Sequence, residues 1–526
     1  MKVNRYPEDR SVDTILVFDF GSQTTQLIAR RIRDAGVYTE ILPGDANLDG
    51  KPPRQCKGVV FSGSPYSVYE ESAPFPDKRI YDWKVPILGI CYGFHRIVQD
   101  HNGKVEPLSK KEYGSARVTH PGNNPLFDNI PSSFISWMSH GDSISVLPEG
   151  FEKGAETGDH PAAFFNRERN YYGLQFHPEA THCECGTDIL KNFIYSICGS
   201  ESDWNMDIYL EQSIAKIRKE VGNRDVLLLI SGGVDSTVVA GLLLQALHPR
   251  QVHLMYIDTG LMRKDESTEV HENLDKLGAE NLYFIDASRD FLFALKGKAN
   301  PEEKRKIIGD LFIQVQEREV TTRNIQNVFL AQGTLYTDLI ESGKGVGKKA
   351  RIIKSHHNVR SPLVEAKREQ GMVIEPLDRL YKDEVRKLGG KAGIPHEIVH
   401  RHPFPGPGLA VRIIGDVTEE KCRILREADH IVISELKKRN LYDEIWQAFC
   451  VLLPIRSVGI AGDVRKYGYV LSIRCVASED GMTANVYPFP MGDLLEISAI
   501  ITNSVPHIGR VVYDVSSKPP ATIEWE

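Results

Sequence analysis

The stretch that most constrains the fold lies near the middle of the chain, where an apolar run meets a turn rich in glycine and hydroxyl groups. Residues Val226–Ile230 have the composition of a buried strand, and residues 238–247 have that of an apolar helix. A strand that feeds a glycine turn and then a helix presents main-chain N–H groups to a phosphate. The turn therefore predicts a phosphate-binding loop, made of Ser231, Gly232, Gly233, Val234, Asp235, Ser236 and Thr237.

This loop differs from the Walker type, because no Gly-Lys-Ser/Thr follows the turn. Its two glycines let the main chain approach phosphates without an intervening Cβ. The hydroxyls of Ser231, Ser236 and Thr237 add donors, and Asp235 is expected either to act near a metal or to hold the turn. An ordinary strand-to-helix turn is the alternative, but the pattern and its context favour the binding loop.

Length and composition limit the class of protein. A chain of 526 residues is long for one hydrophobic core, so two to four domains are expected. The net charge of −7 argues against broad binding to nucleic acid or to an anionic membrane. Eight scattered cysteines suggest reduced thiols in the cytosol, and the first ten residues have no apolar signal core. We therefore expect a cytosolic enzyme or binding protein with no membrane partner.

Three segments differ in their patterns. After an N-terminal extension, 1–12, residues 13–202 alternate between apolar strand-like runs and helical spacing, which predicts a parallel sheet covered by helices. Residues 203–401 repeat that pattern around the phosphate loop. Residues 402–526 begin with a stretch rich in proline and glycine, and the part beyond it predicts a small α+β domain. The expected fold is α/β, with two doubly wound parallel-sheet domains and a smaller third domain.

A second reactive site is predicted in the first segment. Cys91 lies in Gly-Ile-Cys-Tyr-Gly between a strand and a helix, the arrangement of a nucleophile elbow. A helix N-terminus stabilises a thiolate. His177 can move the proton, Glu179 can orient that histidine, and the loop that starts at Ser62 can offer N–H groups to an oxyanion. These residues predict acyl transfer through a thioester.

Taken together, these motifs resemble glutamine-hydrolysing GMP synthetases over nearly the whole chain. The first segment is similar to class I glutamine amidotransferases through Asp19-Phe-Gly-Ser22, the elbow and His177-Pro-Glu179. The second resembles that family's ATP pyrophosphatase domain through the phosphate loop, Leu330-Ala-Gln-Gly-Thr334 and Lys354-Ser-His-His-Asn358. The most specific match is the tail, Tyr513-Asp-Val-Ser-Ser-Lys-Pro-Pro-Ala-Thr-Ile-Glu-Trp-Glu526.

The resemblance implies a role for individual residues. The triad is Cys91, His177 and Glu179, and the oxyanion and glutamine pocket includes Gly63, Tyr92 and His95. ATP contacts the phosphate loop together with Asp258 and Gly333. XMP contacts Arg305, Asp463, Lys518, Ile523 and Glu524, while Lys304, Lys354 and Lys382 belong to a lid. Asp338 is a candidate ligand of Mg2+.

The resemblance also implies a reaction and partners. ATP transfers AMP to the C2 oxygen of XMP, and ammonia released from glutamine displaces AMP to give GMP. Mg2+ accompanies ATP, and residues 402–526 join two subunits into a homodimer and complete the XMP site. No nucleic acid is expected as a partner.

The sequence departs from the family pattern at several positions. Ser64 stands where a glycine is usual, His95 where a glutamine helps hold the substrate, and Arg360 where two glycines are common. His95 therefore predicts weak glutamine binding. Two other functions stay open from the sequence: a non-enzymatic homologue that binds partners, and an amidotransferase that acts on another acceptor. The paired motifs argue against the first, and the tail argues against the second.

Overall fold

The computed structural model describes residues 12–46, 48, 51–53, 55–325, 327–341, 362–461, 464–478 and 483–526. The described residues form two compact units. One unit takes its residues from Met1–Tyr209 and Thr337–Lys354, and the other from Leu210–Tyr336 and Ser355–Glu526. The domain boundaries drawn at 12/13, 202/203 and 401/402 stay predictions.

The first unit contains a nine-stranded sheet in the order β2-β1-β3-β4-β9-β8-β7-β5-β6. Its strands are β1 (Thr14–Asp19), β2 (Tyr38–Pro43), β3 (Cys56–Phe61), β4 (Ile87–Ile90), β5 (Lys104–Thr119), β6 (Ser133–Val146), β7 (Glu152–Thr157), β8 (His160–Asn166) and β9 (Tyr171–Leu174). Strands β2, β1, β3, β4 and β9 pair in parallel. The neighbouring pairs from β9 to β6 are antiparallel. The predicted parallel sheet is thus present, with an antiparallel extension that the sequence patterns did not show.

The second unit contains a five-stranded parallel sheet in the order β12-β11-β10-β13-β14. The strands are β10 (Val226–Ile230), β11 (Val252–Asp258), β12 (Asn281–Asp286), β13 (Phe329–Ala331) and β14 (Val373–Ile374). From the central strand β10, the chain adds β11 and β12 on one side of the sheet and β13 and β14 on the other. Its carboxyl end is therefore the topological switch point, where ligands of such sheets bind.

A further sheet in the same unit is formed by the C-terminal residues. Its strands are β15 (Gln447–Ala461), β16 (Val464–Ala477), β17 (Asn485–Val486) and β18 (Ile508–Tyr513). Strand β16 pairs antiparallel with β15 and β17 and parallel with β18. Together with the helices below, this confirms the expected small α+β arrangement in the third segment.

The helices have the following bounds: α1 Thr25–Asp34, α2 Tyr92–Asp100, α3 Gly186–Lys191, α4 Met206–Val221, α5 Val234–Ala246, α6 Glu266–Lys276, α7 Ser288–Ala294, α8 Pro301–Thr322, α9 Tyr336–Glu341, α10 Pro362–Glu369, α11 Lys382–Lys391, α12 His396–Val399, α13 Glu419–Lys438 and α14 Met491–Ser504. Helix α13 begins where the Thr418 side chain accepts a hydrogen bond from the Lys421 N–H, a typical N-cap. Among the described residues, no helix combines the length and apolar composition that crossing a bilayer requires.

One continuous apolar core runs through the second unit. It includes Leu227 and Met255 of the parallel sheet, Leu425 of α13, and Ala448 and Ile473 of the C-terminal sheet. Burying apolar surface from both sheets against the same helix joins them energetically. The phosphate loop is consequently held on a framework that includes the C-terminal sheet.

Candidate active sites

The thiol of the first unit lies on a strained turn between β4 and α2. Cys91 has φ +54° and ψ −103°, in a region that residues with a Cβ rarely adopt. Its N–H donates to the Leu174 carbonyl at 2.8 Å, and the Gly93 N–H donates to the Ser62 carbonyl at 3.0 Å. These bonds hold the turn in a conformation that costs about 1–3 kcal/mol. The thiol is therefore fixed at the N-terminus of α2, as a nucleophile elbow requires.

The two glycines of the elbow are required by close approach. A Cβ on Gly89 would lie 2.4 Å from the carbonyl carbon of Gly93. A Cβ on Gly93 would lie 2.4 Å from the Phe61 carbonyl oxygen. Real Cβ atoms do not approach main-chain atoms this closely, so a side chain at either position would displace α2 from the sheet.

A buried histidine and a buried carboxylate stand beside the thiol. His177 Nδ1 lies 2.7 Å from Glu179 Oε1, and the Glu179 side chain is fully buried. Burial lowers the pKa of His177, but the Glu179 charge and hydrogen bonds to Cys91 and Glu179 outweigh it and raise that pKa well above its ordinary value. His177 can therefore hold a proton next to the sulfur, which stabilises a thiolate.

The pocket residues predicted near the thiol are also close to it. A Cβ on Gly63 would lie 3.7 Å from His177 Cε1, so the main chain of this loop faces the triad. Tyr92 follows the nucleophile, and its N–H is the donor that an elbow usually supplies to an oxyanion. Its ring is buried against Phe20, with centroids 5.5 Å apart. Cys91 Sγ also lies 3.8 Å from the Ser139 carbonyl oxygen of β6.

His95 is a buried, neutral residue one turn along α2 from the thiol. Its N–H donates to the Cys91 carbonyl at 3.2 Å, and its side chain is only 4% exposed. Burial, helped by the nearby His140, lowers the pKa of His95 to about 4. Its Nε2 has no partner by hydrogen-bond geometry among the described residues, although the neighbouring Gln175 side chain favours the protonated ring. Leaving a buried polar atom unpaired is costly, so this nitrogen would gain from a hydrogen bond to a ligand.

This arrangement supports a prediction for His95→Gln. The amide has both a donor and an acceptor, whereas a neutral imidazole nitrogen has one or the other. We expect the KM for glutamine to fall by roughly three- to tenfold, the equivalent of one neutral hydrogen bond. The ammonium-dependent reaction of the same variant should be unchanged. An equal or higher KM for glutamine would show that this chain binds the amide in another way.

The phosphate loop is folded by its own hydroxyls. Thr237 Oγ1 donates to the Gly233 carbonyl at 2.9 Å, and Ser236 Oγ donates to it at 3.1 Å. Ser231 Oγ accepts from the Gly233 N–H at 3.3 Å. The loop connects β10 directly to α5, so its main chain lies at the switch point of the sheet.

The two glycines of the loop are not equivalent. Gly232 has φ +75°, and a Cβ there would lie 2.9 Å from Val270 Cγ2. Gly233 is the N-cap of α5 with φ −78°, and a Cβ there would approach only Ser231 Oγ, at 3.3 Å. The sequence pattern treats both positions alike, but the structure requires glycine chiefly at Gly232.

Other predicted nucleotide residues surround this loop. Lys382 Nζ lies 2.5 and 2.6 Å from the two carboxylate oxygens of Asp235. A Cβ on Gly333 would lie 3.2 Å from Asp235 Cβ, so the segment after β13 packs on the loop. Asp258 ends β11, where its carboxylate accepts from the Gly260 N–H at 2.8 Å and from Ser267 Oγ at 2.7 Å. Lys382, Asp235 and Asp258 thus place polar groups at this end of the sheet.

The C-terminal tail is docked, as its apolar composition predicts. Ile523 is buried in a small cluster that includes Phe449 of β15. Glu524 accepts from Arg412 Nη2 at 2.8 Å and from Gln447 Nε2 at 2.8 Å. The Arg412 side chain is fully buried, so its partner carboxylate is needed to compensate its charge. This ion pair fixes Glu524.

The start of α8 contacts the last residue of the tail. Arg305 donates to the Glu526 main-chain oxygen. Lys304 is fully buried, and its ammonium donates to the carbonyls of Ala410 at 3.1 Å and Ile413 at 2.8 Å and to Glu526 Oε2 at 2.5 Å. Three acceptors match the three donors of an ammonium. The lid role of Lys304 stays a prediction and would require this anchor to open.

The remaining predicted residues are less informative. Lys518 exchanges main-chain hydrogen bonds with Ala484, N–H to oxygen, at 2.7 and 3.0 Å. Lys354 and Asp463 lie outside the described residues. Asp338 lies in α9. Among the described residues, no group of three or more histidine, cysteine or acidic side chains is arranged to hold a metal ion.

Several residues that shape these sites were not singled out from the sequence. Arg412 and Gln447 hold Glu524, and Arg474 donates to the Ile523 and Thr522 carbonyls at 2.8 Å each. All three are buried polar residues far from the tail in sequence. Burial cannot be read from an isolated arginine, because most arginines are exposed. Their contribution emerges only from the folded chain.

Comparison with protein families divides the chain in the same order as its motifs. Residues 16–197 match the class-I glutamine amidotransferase family. Residues 208–307 match the NAD synthase family, and residues 434–525 match the GMP synthase C-terminal domain. The fold and site therefore define an amidotransferase unit linked to a nucleotide-binding unit of the pyrophosphate-loop class.

Similar proteins extend this match to the full chain. A glutamine-hydrolysing GMP synthase of Aquifex aeolicus is 51% identical over 514 residues, covering 97% of this chain and 99% of that protein. Proteins of the same name from Lactobacillus gasseri and Caldicellulosiruptor saccharolyticus are 48% and 49% identical, with 98% of this chain covered in each case and 98% and 99% of those proteins. The chain belongs to the glutamine-hydrolysing GMP synthase family.

Proposed function

We propose that this protein converts XMP to GMP, with glutamine as the nitrogen source and ATP as the activating substrate. The observation that supports the proposal is the presence of two different reactive arrangements on one chain of this family. One is a thiol with a buried His–Glu pair, and the other is a phosphate loop at a sheet switch point. The first site suits amide hydrolysis and the second suits nucleotide activation.

At the first site, Cys91 attacks the side-chain amide carbon of glutamine. His177 accepts the thiol proton and returns a proton to the departing nitrogen, while Glu179 keeps the imidazole oriented. The N–H groups around Gly63 and Tyr92 stabilise the oxyanion. Ammonia leaves, a thioester remains on Cys91, and water hydrolyses it to glutamate. The strained main chain of Cys91 holds the sulfur at the N-terminus of α2 for this attack.

At the second site, the C2 oxygen of XMP attacks the α-phosphorus of ATP and pyrophosphate departs. The phosphate loop, from Ser231 to Thr237, binds the departing pyrophosphate through its N–H groups and the N-terminus of α5. Ammonia then attacks C2, and AMP leaves with the former C2 oxygen. The products are GMP, AMP and pyrophosphate, and each bond formed is matched by one broken.

Magnesium is proposed to enter with ATP. The described residues offer isolated carboxylates near the loop, such as Asp235, which is already paired with Lys382. Mg2+ is usually held by one or two carboxylates plus substrate phosphates, so a preformed protein cage is not needed. We accordingly treat Mg2+ as part of the Mg-ATP substrate. Asp338 stays a weaker candidate for contacting it.

XMP is proposed to bind between the loop and the tail of the second unit. Glu524 and Ile523 are held in place by the buried arginines Arg412 and Arg474, and Arg305 lies beside the end of the tail. Cations at Arg305 and Lys518 suit a 5′-phosphate, since ionised hydrogen bonds are the stronger kind. Asp463 completes the proposed set.

A homodimer through residues 402–526 is also proposed. Several large apolar side chains of the C-terminal sheet are exposed, among them Ile455, Val458, Tyr467 and Val512. Val458 and Tyr467 are directly opposite each other on β15 and β16. Exposed apolar patches of this kind mark interaction sites. A cytosolic location is also proposed, since all eight cysteines are free thiols.

The direct test of the proposed function is a reaction with defined substrates. Purified protein mixed with XMP, ATP, Mg2+ and glutamine should form GMP, AMP, pyrophosphate and glutamate in equal amounts. Leaving out XMP should remove AMP and pyrophosphate but not all of the glutamate. A different acceptor from a nucleotide panel giving AMP, with XMP inert, would support the alternative amidotransferase function. No turnover of ATP or glutamine would support the binding-protein alternative.

A further inference from the structure

We propose that Arg401 is a positioning residue for the phosphate loop, acting through the carbonyl of Gly232. Arg401 lies in the segment that leads out of α12 into the proline-rich stretch. This inference rests on the proposed function of the loop as the pyrophosphate site. Arg401 fixes the orientation of one peptide group of the loop, the one between Gly232 and Gly233.

The contacts of the guanidinium are specific. Arg401 Nη1 donates to the Gly232 carbonyl oxygen at 2.7 Å. Arg401 Nη2 forms an ion pair with Glu266 Oε1 at the start of α6. The Glu266 side chain is 2% exposed, so the pair is shielded from water. Hydrogen bonds to ionised groups contribute about 1.5–3 kcal/mol, more than neutral ones.

The direction of this hydrogen bond decides its effect on the loop. In a planar trans peptide, the C=O of Gly232 and the N–H of Gly233 point in opposite directions. Because Arg401 holds the oxygen, the N–H is turned to the other side, where it donates to Ser231 Oγ at 3.3 Å. Gly232 has φ +75° and no Cβ, so its own conformation restrains this peptide weakly. Arg401 supplies the missing restraint.

Glu266 is in turn held by a second arginine. Its Oε2 accepts from the Arg263 N–H at 2.8 Å, and Arg263 Nε lies 3.2 Å from Asp429 Oδ2 of α13. Asp429 Oδ1 accepts from the Cys450 N–H of β15 at 3.0 Å. One ion pair and two hydrogen bonds from main-chain N–H groups thus connect Glu266, and with it Arg401, to the C-terminal sheet. Buried pairs of this kind are sensitive to removal of one partner.

Because a cavity lies beside the loop, neighbouring side chains cannot take over the contacts of Arg401. Gly232, Arg401, Glu266 and Arg263 line a cavity of about 410 Å³ on this side of the loop. A shorter or apolar side chain at 401 would leave the Gly232 carbonyl and the Glu266 carboxylate without their partner. Neighbouring side chains cannot close a cavity of this size over them, so the carbonyl would be free to rotate.

The experiment compares Arg401→Met with two other variants. Arg401→Lys retains a cation that can reach one of the two partners but cannot bridge both. Arg218→Met is the matched control. Arg218 donates to the carbonyls of Ala246, at 2.8 Å, and Gln245, at 3.0 Å, at the opposite end of α5. The Arg218→Met substitution removes a similar guanidinium–carbonyl contact to α5 and leaves the contacts of the loop intact.

We expect Arg401→Met to raise the KM for ATP in the ammonium-dependent reaction by about ten- to hundredfold, the equivalent of one charged hydrogen bond. Arg401→Lys should recover part of that loss, and Arg218→Met should match the wild type. The KM for glutamine and the glutaminase rate should not change in any of the three. ATP kinetics of Arg401→Met equal to those of Arg218→Met would overturn the proposal.

Two further measurements keep this test decisive. If Arg401→Met does not fold, Glu266→Gln removes the charge of the ion pair while keeping a hydrogen-bonding oxygen, and an unchanged KM for ATP would then contradict the proposal. Equilibrium dialysis measures the affinity of the protein for ATP without turnover. Wild-type protein that binds ATP more tightly than Arg401→Met but makes no GMP would refute the proposed function and retain the positioning role.

Discussion

Replacing Cys91 with alanine should abolish glutamine-dependent GMP formation while leaving ammonium-dependent formation near the wild-type rate. The thiol is the nucleophile that this site supplies to the amide carbon, and loss of a covalent nucleophile typically lowers kcat by about 10⁵–10⁶-fold. The second site needs only ammonia, which an ammonium salt supplies from solution. The measurement is GMP formation with each nitrogen source in turn.

Cys183→Ala provides the control for this variant. Cys183 is also a buried thiol of the first unit, and burial raises its pKa. It accepts a hydrogen bond from Ser136 Oγ at 3.1 Å and lies outside the triad. This variant should retain both reactions. Loss of the ammonium-dependent reaction in a folded Cys91→Ala protein would contradict the division of labour between the two sites.

Replacing Gly232 with valine should abolish GMP formation with both nitrogen sources, while glutaminase activity is retained. The position has φ +75°, where a β-branched residue is strained by about 1–3 kcal/mol. The added Cβ would also lie 2.9 Å from Val270 Cγ2, so the loop or α6 must move. We expect kcat/KM for ATP to fall by about hundredfold or more, because the displaced groups are those that position phosphates.

Gly222→Val separates loop geometry from general destabilisation. Gly222 follows α4 with φ +59° and has nothing within 4 Å of its Cβ position. Valine at position 222 therefore imposes a similar backbone strain without filling space near the phosphates. This control should lower the melting temperature while retaining the KM for ATP. If both variants alter ATP kinetics equally, the special role assigned to Gly232 is wrong.

Local patterns predicted the reactive turns well. The strand Val226–Ile230, the helix after it and the elbow at Cys91 are all present. In each case the information is short-range: apolar periodicity or glycine at a turn. The class of each main site could be predicted for the same reason, because the residues that form each reactive turn are adjacent in the sequence.

Features that depend on distant residues were not predictable. The antiparallel strands β5–β8 have mixed, partly exposed patterns that resemble loops, and only pairing with the parallel sheet fixes them. The different requirements at Gly232 and Gly233 depend on Val270 and Arg401, far along the chain. The same holds for Lys304, whose place in a run of charges suggests a solvated lysine. Its burial against Glu526 requires the folded tail.

The central claim is that nitrogen from glutamine, released at Cys91, reaches XMP activated at the phosphate loop. Glutamine labelled with ¹⁵N in its side-chain amide tests it most directly, in a reaction with XMP and Mg-ATP that also contains unlabelled ammonium at the same concentration. Mass spectrometry of the GMP should show ¹⁵N at the 2-amino group in most molecules, and Cys91→Ala should give only unlabelled GMP. Unlabelled GMP from the wild type, despite glutamate formation, would contradict the account.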